Sequence, residues 1–144
     1  MSDVLRVVAI DGVLGAGKTT VARRLAERLG LDYLDTGAMY RCVGVACLRA
    51  GYPINDATAV QGEAGEDLRS HAIELARSAQ IDVRTAADGA QVVLLDGDDV
   101  SVEIRTPEVA RAASVLATVA DVRSEMVELQ RAWARSRGGG TMPR

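Results

Sequence analysis

The chain has few of the residues that carry chemistry by themselves. It contains no phenylalanine, one histidine and two cysteines among 144 residues, and aromatic residues make up 3% of it. Cys42 and Cys47 are five positions apart, which is not a spacing typical of a metal site or a redox pair. We predict that both are buried as small apolar residues, and that His71, alone in a charged helical segment, is exposed rather than catalytic. The core must then consist mainly of valine, leucine, isoleucine and alanine.

Long apolar runs and long basic runs are missing as well. No stretch reaches the ~20 apolar residues that a membrane-spanning helix needs, and Val7–Ile10 is too short for the core of a signal peptide. The formal net charge is −3, and the arginines are scattered rather than clustered, which argues against binding of nucleic acid. These absences predict a cytoplasmic protein that binds neither membrane nor nucleic acid.

What the chain does contain is a phosphate-binding pattern. Residues 10–20 read IDGVLGAGKTT, and Gly12 to Thr19 fit the template G-x-x-x-x-G-K-[ST]. Glycines let the backbone wrap closely around an anion, so that several N–H groups converge on it. Lys18 would reach the β- and γ-phosphates of a nucleotide, and the Thr19 hydroxyl would bind Mg²⁺. Lys18 is also the only lysine of the chain, at a place where a bulky guanidinium would not fit.

The flanking residues agree with a phosphate-binding loop. Arg6–Ile10 is short and β-branched, as a buried parallel strand would be. Val21, Leu25 and Leu29 recur at intervals of four residues, which predicts a helix over residues 17–29 that Gly30 ends. Strand, glycine-rich loop and helix in this order are the context that the motif requires.

The segment after this helix predicts a short strand followed by a helix. Asp32–Leu34 would be the strand, and Asp35 or Thr36 would cap a helix from about residue 38 to residue 50. Residues 55–79 are polar and helix-prone, and glycines interrupt them.

Three short strands and two helices are predicted in the second half of the chain. Ile81–Thr85 and Gln91–Leu95 would be joined by a tight turn, and Val100–Ile104 would form a third strand. Thr106 and the proline after it predict the start of a helix, and a last helix runs to about residue 137.

Asp96 permits two interpretations. Val92–Leu95 followed by aspartate resembles the buried parallel strand that carries a magnesium-organising carboxylate in many ATPases and GTPases. The same residues suit a hairpin strand that ends in a turn at Gly97 and Asp98. The local sequence favours neither interpretation over the other, so a P-loop ATPase that uses Asp96 stays an alternative.

Four motifs together resemble a known family. IDG..GAGKTT, LDTGAMYR at residues 34–41, DGDDVSVEIRTPEVARAAS at 96–114 and VRSEMVELQR at 122–131 are similar to motifs of cytidylate kinase, a nucleoside monophosphate kinase. The resemblance covers residues 5 to about 135. It implies a cytoplasmic, monomeric enzyme of pyrimidine nucleotide metabolism that transfers a phosphoryl group from ATP, with Mg²⁺, to CMP or dCMP, giving ADP and CDP or dCDP.

The resemblance also implies roles for individual residues. Thr36 and Arg41 would contact the acceptor nucleotide, with Arg41 on its phosphate, and Ser114 and Arg123 would help to read the cytosine edge. Without the family, Thr36 would suit a helix cap, Ser114 a packing position and both arginines a solvated surface. Lys18 would be catalytic, and Thr19 would bind the metal. The implied ATP-binding residues are Gly12, Val13, Leu14, Gly15, Ala16, Gly17, Lys18, Thr19 and Thr20.

The implied fold is α/β, with a P-loop nucleoside monophosphate kinase core and a small three-stranded monophosphate-binding insert in which Asp96 is a hairpin residue. One domain would span residues 1–144. Its parts would be the P-loop and start of the core at 5–52, the insert at 53–105, helices at 106–137 and an irregular tail at 138–144. Family members continue with a strand bearing Gly-Arg-Asp, more core strands and an arginine-bearing lid, so we expect an incomplete core sheet. A truncated, non-catalytic remnant that binds a nucleotide or a partner is therefore a second alternative.

Overall fold

The described residues form five α-helices and two small sheets, one parallel and one antiparallel, which confirms the α/β class. The computed structural model describes residues 6–11 and 16–137, and the backbone of residues 139–143. The strands in these residues are β1 (Arg6–Ile10), β2 (Ile81–Thr85), β3 (Gln91–Leu95), β4 (Asp98–Asp99) and β5 (Gly139–Pro143). The α-helices are α1 (Lys18–Leu29), α2 (Thr36–Arg49), α3 (Glu66–Ser78), α4 (Pro107–Leu116) and α5 (Ala120–Ser136), with 3₁₀ turns at Ala57–Val60 and Glu103–Arg105.

The chain divides into two compact units. The first contains the described residues up to Thr36 and those from Glu128 onward, and the second is Gly37–Val127. In the first unit β1 and β5 pair in parallel, with Arg6 opposite Gly139. The predicted irregular tail is thus wrong for residues 139–143. A glycine-rich sequence has no pattern that predicts a strand. Residues 139–143 form one because their backbone pairs with β1.

Helix α1 spans nearly the residues predicted for it and is followed by Gly30 as expected. Its buried residues are Ala22 and Ala26, which form a cluster with Tyr33, whereas Val21 is 52% exposed. The buried face of α1 is therefore the one that carries Ala22 and Ala26, and not the predicted apolar stripe that begins at Val21.

The strand predicted at Asp32–Leu34 is also wrong. Only Tyr33 forms a bridge, and α2 begins at Thr36, two residues earlier than expected. The chain enters the helix too soon after Tyr33 for a ladder of several residues to form.

The second unit surrounds the apolar helix α2. The buried residues of α2 are Ala38, Met39, Cys42, Val43, Gly44, Val45 and Cys47. Burial of both cysteines confirms their predicted role in the core. At Gly44 the helix comes so close to α4 that an added Cβ would lie 3.4 Å from the Ala112 Cβ and 3.4 Å from the backbone nitrogen of Ala113. The absence of a side chain at Gly44 thus sets the spacing of these two helices.

Strands β2, β3 and β4 form an antiparallel sheet in that order. The first two have the predicted bounds, and Ile81 lies opposite Leu95. The third strand is not at Val100–Ile104, as predicted, but at Asp98–Asp99. The ladder stops early because the Ser101 hydroxyl accepts a hydrogen bond of 2.9 Å from the N–H of Val93, where a further strand residue would otherwise pair.

Asp96 is part of the turn between β3 and β4. It has a φ of 50° and Gly97 has a φ of 85°, so the chain reverses within these residues. The Asp96 carboxylate accepts a hydrogen bond of 2.8 Å from the N–H of Gln80. The interpretation of Val92–Leu95 as a parallel, magnesium-organising strand is wrong, because β3 is antiparallel to both its neighbours.

Two polar contacts hold the elements around α2. The Thr106 hydroxyl caps α4 by accepting from the N–H of Val109, and Pro107 is the first helical residue, as predicted. Arg49, at the end of α2, donates to Asp98 at 3.0 Å and to Glu103 at 3.3 Å. The two contacts of Arg49 link α2 to β4 and to the 3₁₀ turn before α4.

We predict that side chains added at Gly44 destabilise the protein in order of size. Gly44→Ala should have a small effect because its Cβ would be only slightly crowded, whereas Gly44→Val should lower the free energy of unfolding by about 1–3 kcal/mol through overpacking against α4. Urea unfolding followed by circular dichroism measures both. Ser70→Val, which places valine on the exposed face of α3, is the control, and an equal loss in that variant would contradict the explanation.

Candidate functional site

The first turn of α1 is arranged to receive an anion. Gly17 precedes the helix in the left-handed conformation, with a φ of 85°, and no side chain among the described residues caps the helix. No acidic residue lies in this first turn. The backbone N–H groups and the positive end of the helix dipole are therefore not compensated by carboxylates of α1 itself. Such a helix start suits phosphate or another anion.

Three predicted nucleotide-binding side chains stand on this turn. Lys18 is half-buried, while Thr19 and Thr20 are exposed. Ala16 and Gly17 are exposed as well. The remaining predicted ATP-binding residues, Gly12, Val13, Leu14 and Gly15, lie outside the described residues.

The residues predicted to bind the acceptor nucleotide lie on three helices. Arg41 is half-buried on α2, and its side chain forms no hydrogen bond or ion pair within the described ranges. On α4, the exposed Ser114 hydroxyl donates to the Ala110 carbonyl at 3.0 Å. On α5, Arg123 Nη1 donates to the Ala117 carbonyl at 3.0 Å. Thr36 is the first residue of α2 and belongs to the first unit.

Arg123 brings two of these helices together at the end of α4. Its guanidinium contacts Ala117, which lies one turn beyond Ser114 on the same helix face. The positive charge of Arg123 also lowers the pKa of Tyr40, although burial raises that pKa by more. Tyr40 immediately precedes Arg41 on α2, so the second unit places Arg123 near the α2 turn that carries Arg41.

Tyr40 is a neighbour of the predicted acceptor residue Arg41 that the sequence interpretation did not single out. It lies in the LDTGAMYR motif between Thr36 and Arg41, the two residues of this motif for which the resemblance implies a role. Its half-buried ring and its proximity to Arg123 appear only when α2 and α5 are packed. The one available signal was the scarcity of aromatic residues, which makes each tyrosine in a motif worth attention.

The cysteines and the histidine offer no catalytic group. Burial raises the pKa of the Cys42 thiol to about 12 and that of the Cys47 thiol to about 11, so neither is a thiolate near neutral pH. The ring of His71 lies 5.2 Å from that of Tyr52, and the residue is half-buried rather than exposed as predicted. Nowhere in the described residues do three or more histidine, cysteine or acidic side chains group as they would around a metal ion.

Comparison with known proteins places this site in context. A sequence model of the family named cytidylate kinase matches residues 8–141. The cytidylate kinase of Symbiobacterium thermophilum is 43% identical over 132 residues, which are 92% of this chain and 53% of that protein. For the cytidylate kinase of Mycobacterium leprae the identity is 44% over 138 residues, 96% of this chain and 53% of the relative.

The length of the match is itself a finding. Cytidylate kinase of Pelotomaculum thermopropionicum is 44% identical over 94% of this chain, but the match covers 54% of that relative. The chain thus spans about half the length of the curated relatives it matches.

Among the described helices, none combines the length and the apolar character needed to cross a membrane.

We predict that the two thiols make the protein less stable in mildly alkaline solution. Their pKa values are raised from 9.0 to about 12 and about 11 in the folded chain. The unfolded chain therefore loses these protons first, and stability falls as the pH rises above about 9, by up to about 1.4 kcal/mol per pH unit for each thiol. Urea unfolding between pH 7 and pH 10 measures this slope.

The double variant Cys42→Ala/Cys47→Ala is the control for the alkaline slope. Because it has no thiol, its stability should fall much less between pH 7 and pH 10, and the tyrosines, whose pKa values are also raised in the folded chain, account for the remaining slope. An unchanged slope in this variant would show that other groups cause the alkaline loss.

Proposed function

Because this chain belongs to the cytidylate kinase family, we propose that it takes part in phosphoryl transfer from ATP to CMP or dCMP. The observation that carries the proposal is the family match over residues 8–141, which includes both the start of α1 and the helices that hold Arg41, Ser114 and Arg123. In this proposal the fold is the P-loop nucleoside monophosphate kinase core, and β2–β4 are the three-stranded insert that binds the acceptor. The parts of the core sheet that the family has beyond these residues are expected to complete it.

The donor nucleotide would bind at the start of α1. The N–H groups of this turn would hold its phosphates, and Lys18 would place a compact positive charge beside the β- and γ-phosphates. The exposed Thr19 hydroxyl is the kind of hard oxygen ligand that Mg²⁺ prefers, and the first turn has no carboxylate to repel the phosphates. Bound with ATP, the metal would neutralise charge on the phosphate oxygens.

The acceptor nucleotide would bind in the second unit. Arg41 has a half-buried guanidinium with no partner among the described side chains, and such a group suits the phosphate of CMP. Arg123 is already oriented by its hydrogen bond to Ala117, and its other N–H groups would be available to the acceptor oxygens of cytosine. Ser114 would add a hydroxyl contact. Thr36 belongs to the first unit, and its contact with the acceptor stays a prediction.

In the proposed reaction a phosphate oxygen of CMP attacks the γ-phosphorus of ATP. The bond between that phosphorus and the oxygen bridging to the β-phosphate breaks, and ADP leaves. The side chains do not react covalently. Lys18 would offset charge on the phosphates of ATP, and Arg41 would offset charge on the phosphate of CMP. Positioning and charge stabilisation are the main sources of catalysis in such transfers.

Two alternatives come from other functional classes. A P-loop ATPase would need Asp96 near the phosphates, but Asp96 lies in an antiparallel turn where Gln80 already occupies one carboxylate oxygen. A non-catalytic remnant would bind a nucleotide or a partner without turnover. A coupled assay of ADP release separates the three, since a kinase needs CMP, an ATPase does not, and a remnant releases none.

We predict that Lys18→Ala weakens ATP binding and abolishes any CMP-dependent ADP release while the fold remains. A charge-assisted contact of this kind contributes about 1.5–3 kcal/mol to ground-state binding, which corresponds to a loss of about tenfold or more. Calorimetric titration with Mg·ATP measures the effect. Arg24→Ala, an exposed position on α1, is the matched control, and full ATP affinity in Lys18→Ala would remove the basis for a donor site here.

We predict that Arg41→Ala weakens CMP binding at least tenfold and leaves ATP binding nearly unchanged, because Arg41 is assigned to the acceptor phosphate alone. Separate titrations with CMP and with Mg·ATP give the two affinities. Arg111→Ala, on the exposed face of α4, should affect neither. Equal losses for both nucleotides in Arg41→Ala would show that the division into donor and acceptor residues is wrong.

A further inference from the structure

Tyr33 is the largest side chain of a small buried cluster that it forms with two alanines of α1 in the first unit. It is 8% exposed and packs with Ala22 and Ala26 of α1, while Ile10 of β1 packs against the same cluster. The ring therefore lies between α1 and the strand that precedes the glycine-rich loop.

The position of the ring along α1 can be read from four residues. Thr19, Ala22, Arg23 and Ala26 follow each other at intervals of three, one and three residues, so they share one face of the helix. Arg23 lies over the Tyr33 ring, with its Cζ 5.2 Å from the ring centroid. The Thr19 hydroxyl is near enough to the Tyr33 hydroxyl to lower its pKa, against the larger raising effect of burial. The side chain thus runs along α1 with its hydroxyl at the helix start.

The Tyr33 hydroxyl is buried without a hydrogen-bond partner among the described residues. Thr19 and Arg23 both act to lower the pKa of Tyr33, against the larger effect of burial, yet neither is a hydrogen-bond partner of its hydroxyl. A buried hydroxyl left in this state costs free energy, and native proteins seldom keep one without a reason. Phenylalanine would fill the same space without that cost, yet a tyrosine is present beside the turn that the proposed function assigns to the phosphates.

We propose that Tyr33 is a positioning residue that orients the Thr19 hydroxyl toward the metal of bound Mg·ATP. This inference rests on the proposed function, because it takes the start of α1 as the donor site. A hydroxyl that binds a cation directs an oxygen lone pair at the metal, so its proton must point to another acceptor. The Tyr33 oxygen is a buried acceptor on the side of Thr19 that faces the core.

Arg23 and the alanines would keep this acceptor in place. The guanidinium over the ring face is attracted to it, and Ala22 and Ala26 leave just enough room for the ring along α1. A small movement of Thr19 on nucleotide binding would close the hydrogen bond, and the cost of the unpaired hydroxyl would then be recovered in the bound state only.

The test separates metal-dependent from metal-independent binding. ATP affinity of the full chain is measured by calorimetry with excess Mg²⁺ and again with EDTA, for the unaltered protein and for Tyr33→Phe. We expect Tyr33→Phe to weaken Mg·ATP binding about three- to tenfold, the effect of one lost hydrogen bond, and to leave binding of metal-free ATP unchanged. Its unfolding midpoint in urea should be equal or higher, because the unpaired hydroxyl is gone.

Two further variants make the result specific. Tyr52→Phe removes a tyrosine hydroxyl that donates to Asp67 at 2.9 Å in the second unit, and it should change neither affinity. In a Thr19→Val background, Tyr33→Phe should have no further effect, since there is no hydroxyl left to orient.

Four outcomes would overturn the inference. Equal losses with and without metal would mean that Tyr33 acts through packing, and an additive effect in the Thr19→Val background would mean that it acts apart from Thr19. Unchanged Mg·ATP affinity in Tyr33→Phe would overturn it while leaving the proposed function intact. If the unaltered chain bound no Mg·ATP, the proposed donor site would fail, and the role of Tyr33 with it.

Discussion

Burial of helix α2 is the constraint on which the second unit depends. The helix is apolar on most of its surface, with seven buried residues, and it can be stable in water only if other elements cover it on several sides. Helix α4 covers it closely because Gly44 has no side chain, and Arg49 ties its end to Asp98 and Glu103. The same packing that buries α2 determines where Arg41 and Tyr40 stand relative to α4 and α5. Positioning of the proposed acceptor residues is therefore a consequence of core formation.

The first unit is covered far less. Val7 in β1 is 43% exposed and Leu29 in α1 is 41% exposed, whereas strands of parallel sheets are normally buried on both faces. Each large apolar side chain left in water forgoes roughly 1.5–3 kcal/mol, so these positions of β1 and α1 gain little from burial, although Tyr33, Leu34 and Trp133 of the same unit are buried. The proposed donor residues thus stand on the less stabilised unit, and the proposed acceptor residues other than Thr36 on the better packed one.

The elements that the local sequence predicted correctly are those whose turn or cap residues lie within or directly beside the element. The hairpin of β2 and β3 and the start of α4 at Thr106 and Pro107 follow from turn residues and a cap that act over a few positions. The failures have non-local causes. Residues 139–143 become a strand through pairing with β1, and Asp98–Asp99 replaces the expected third strand because Ser101 ends the ladder. Asp96 was ambiguous for the same reason, since its role depends on which strands flank β3.

The sequence alone determined which chemical groups the molecule presents. The spacing of Gly17, Lys18 and Thr19 predicts an anion site because it acts through the backbone of one turn and one helix start, and the motifs at 34–41 and 96–131 identify the family. Only the tertiary structure decided which of these groups meet. Arg123 reaches the end of α4 and the neighbourhood of Tyr40, and Tyr33 lies along α1 beside Thr19. Such contacts arise when helices pack, and packing depends on side-chain shape at many distant positions at once, which no local pattern records.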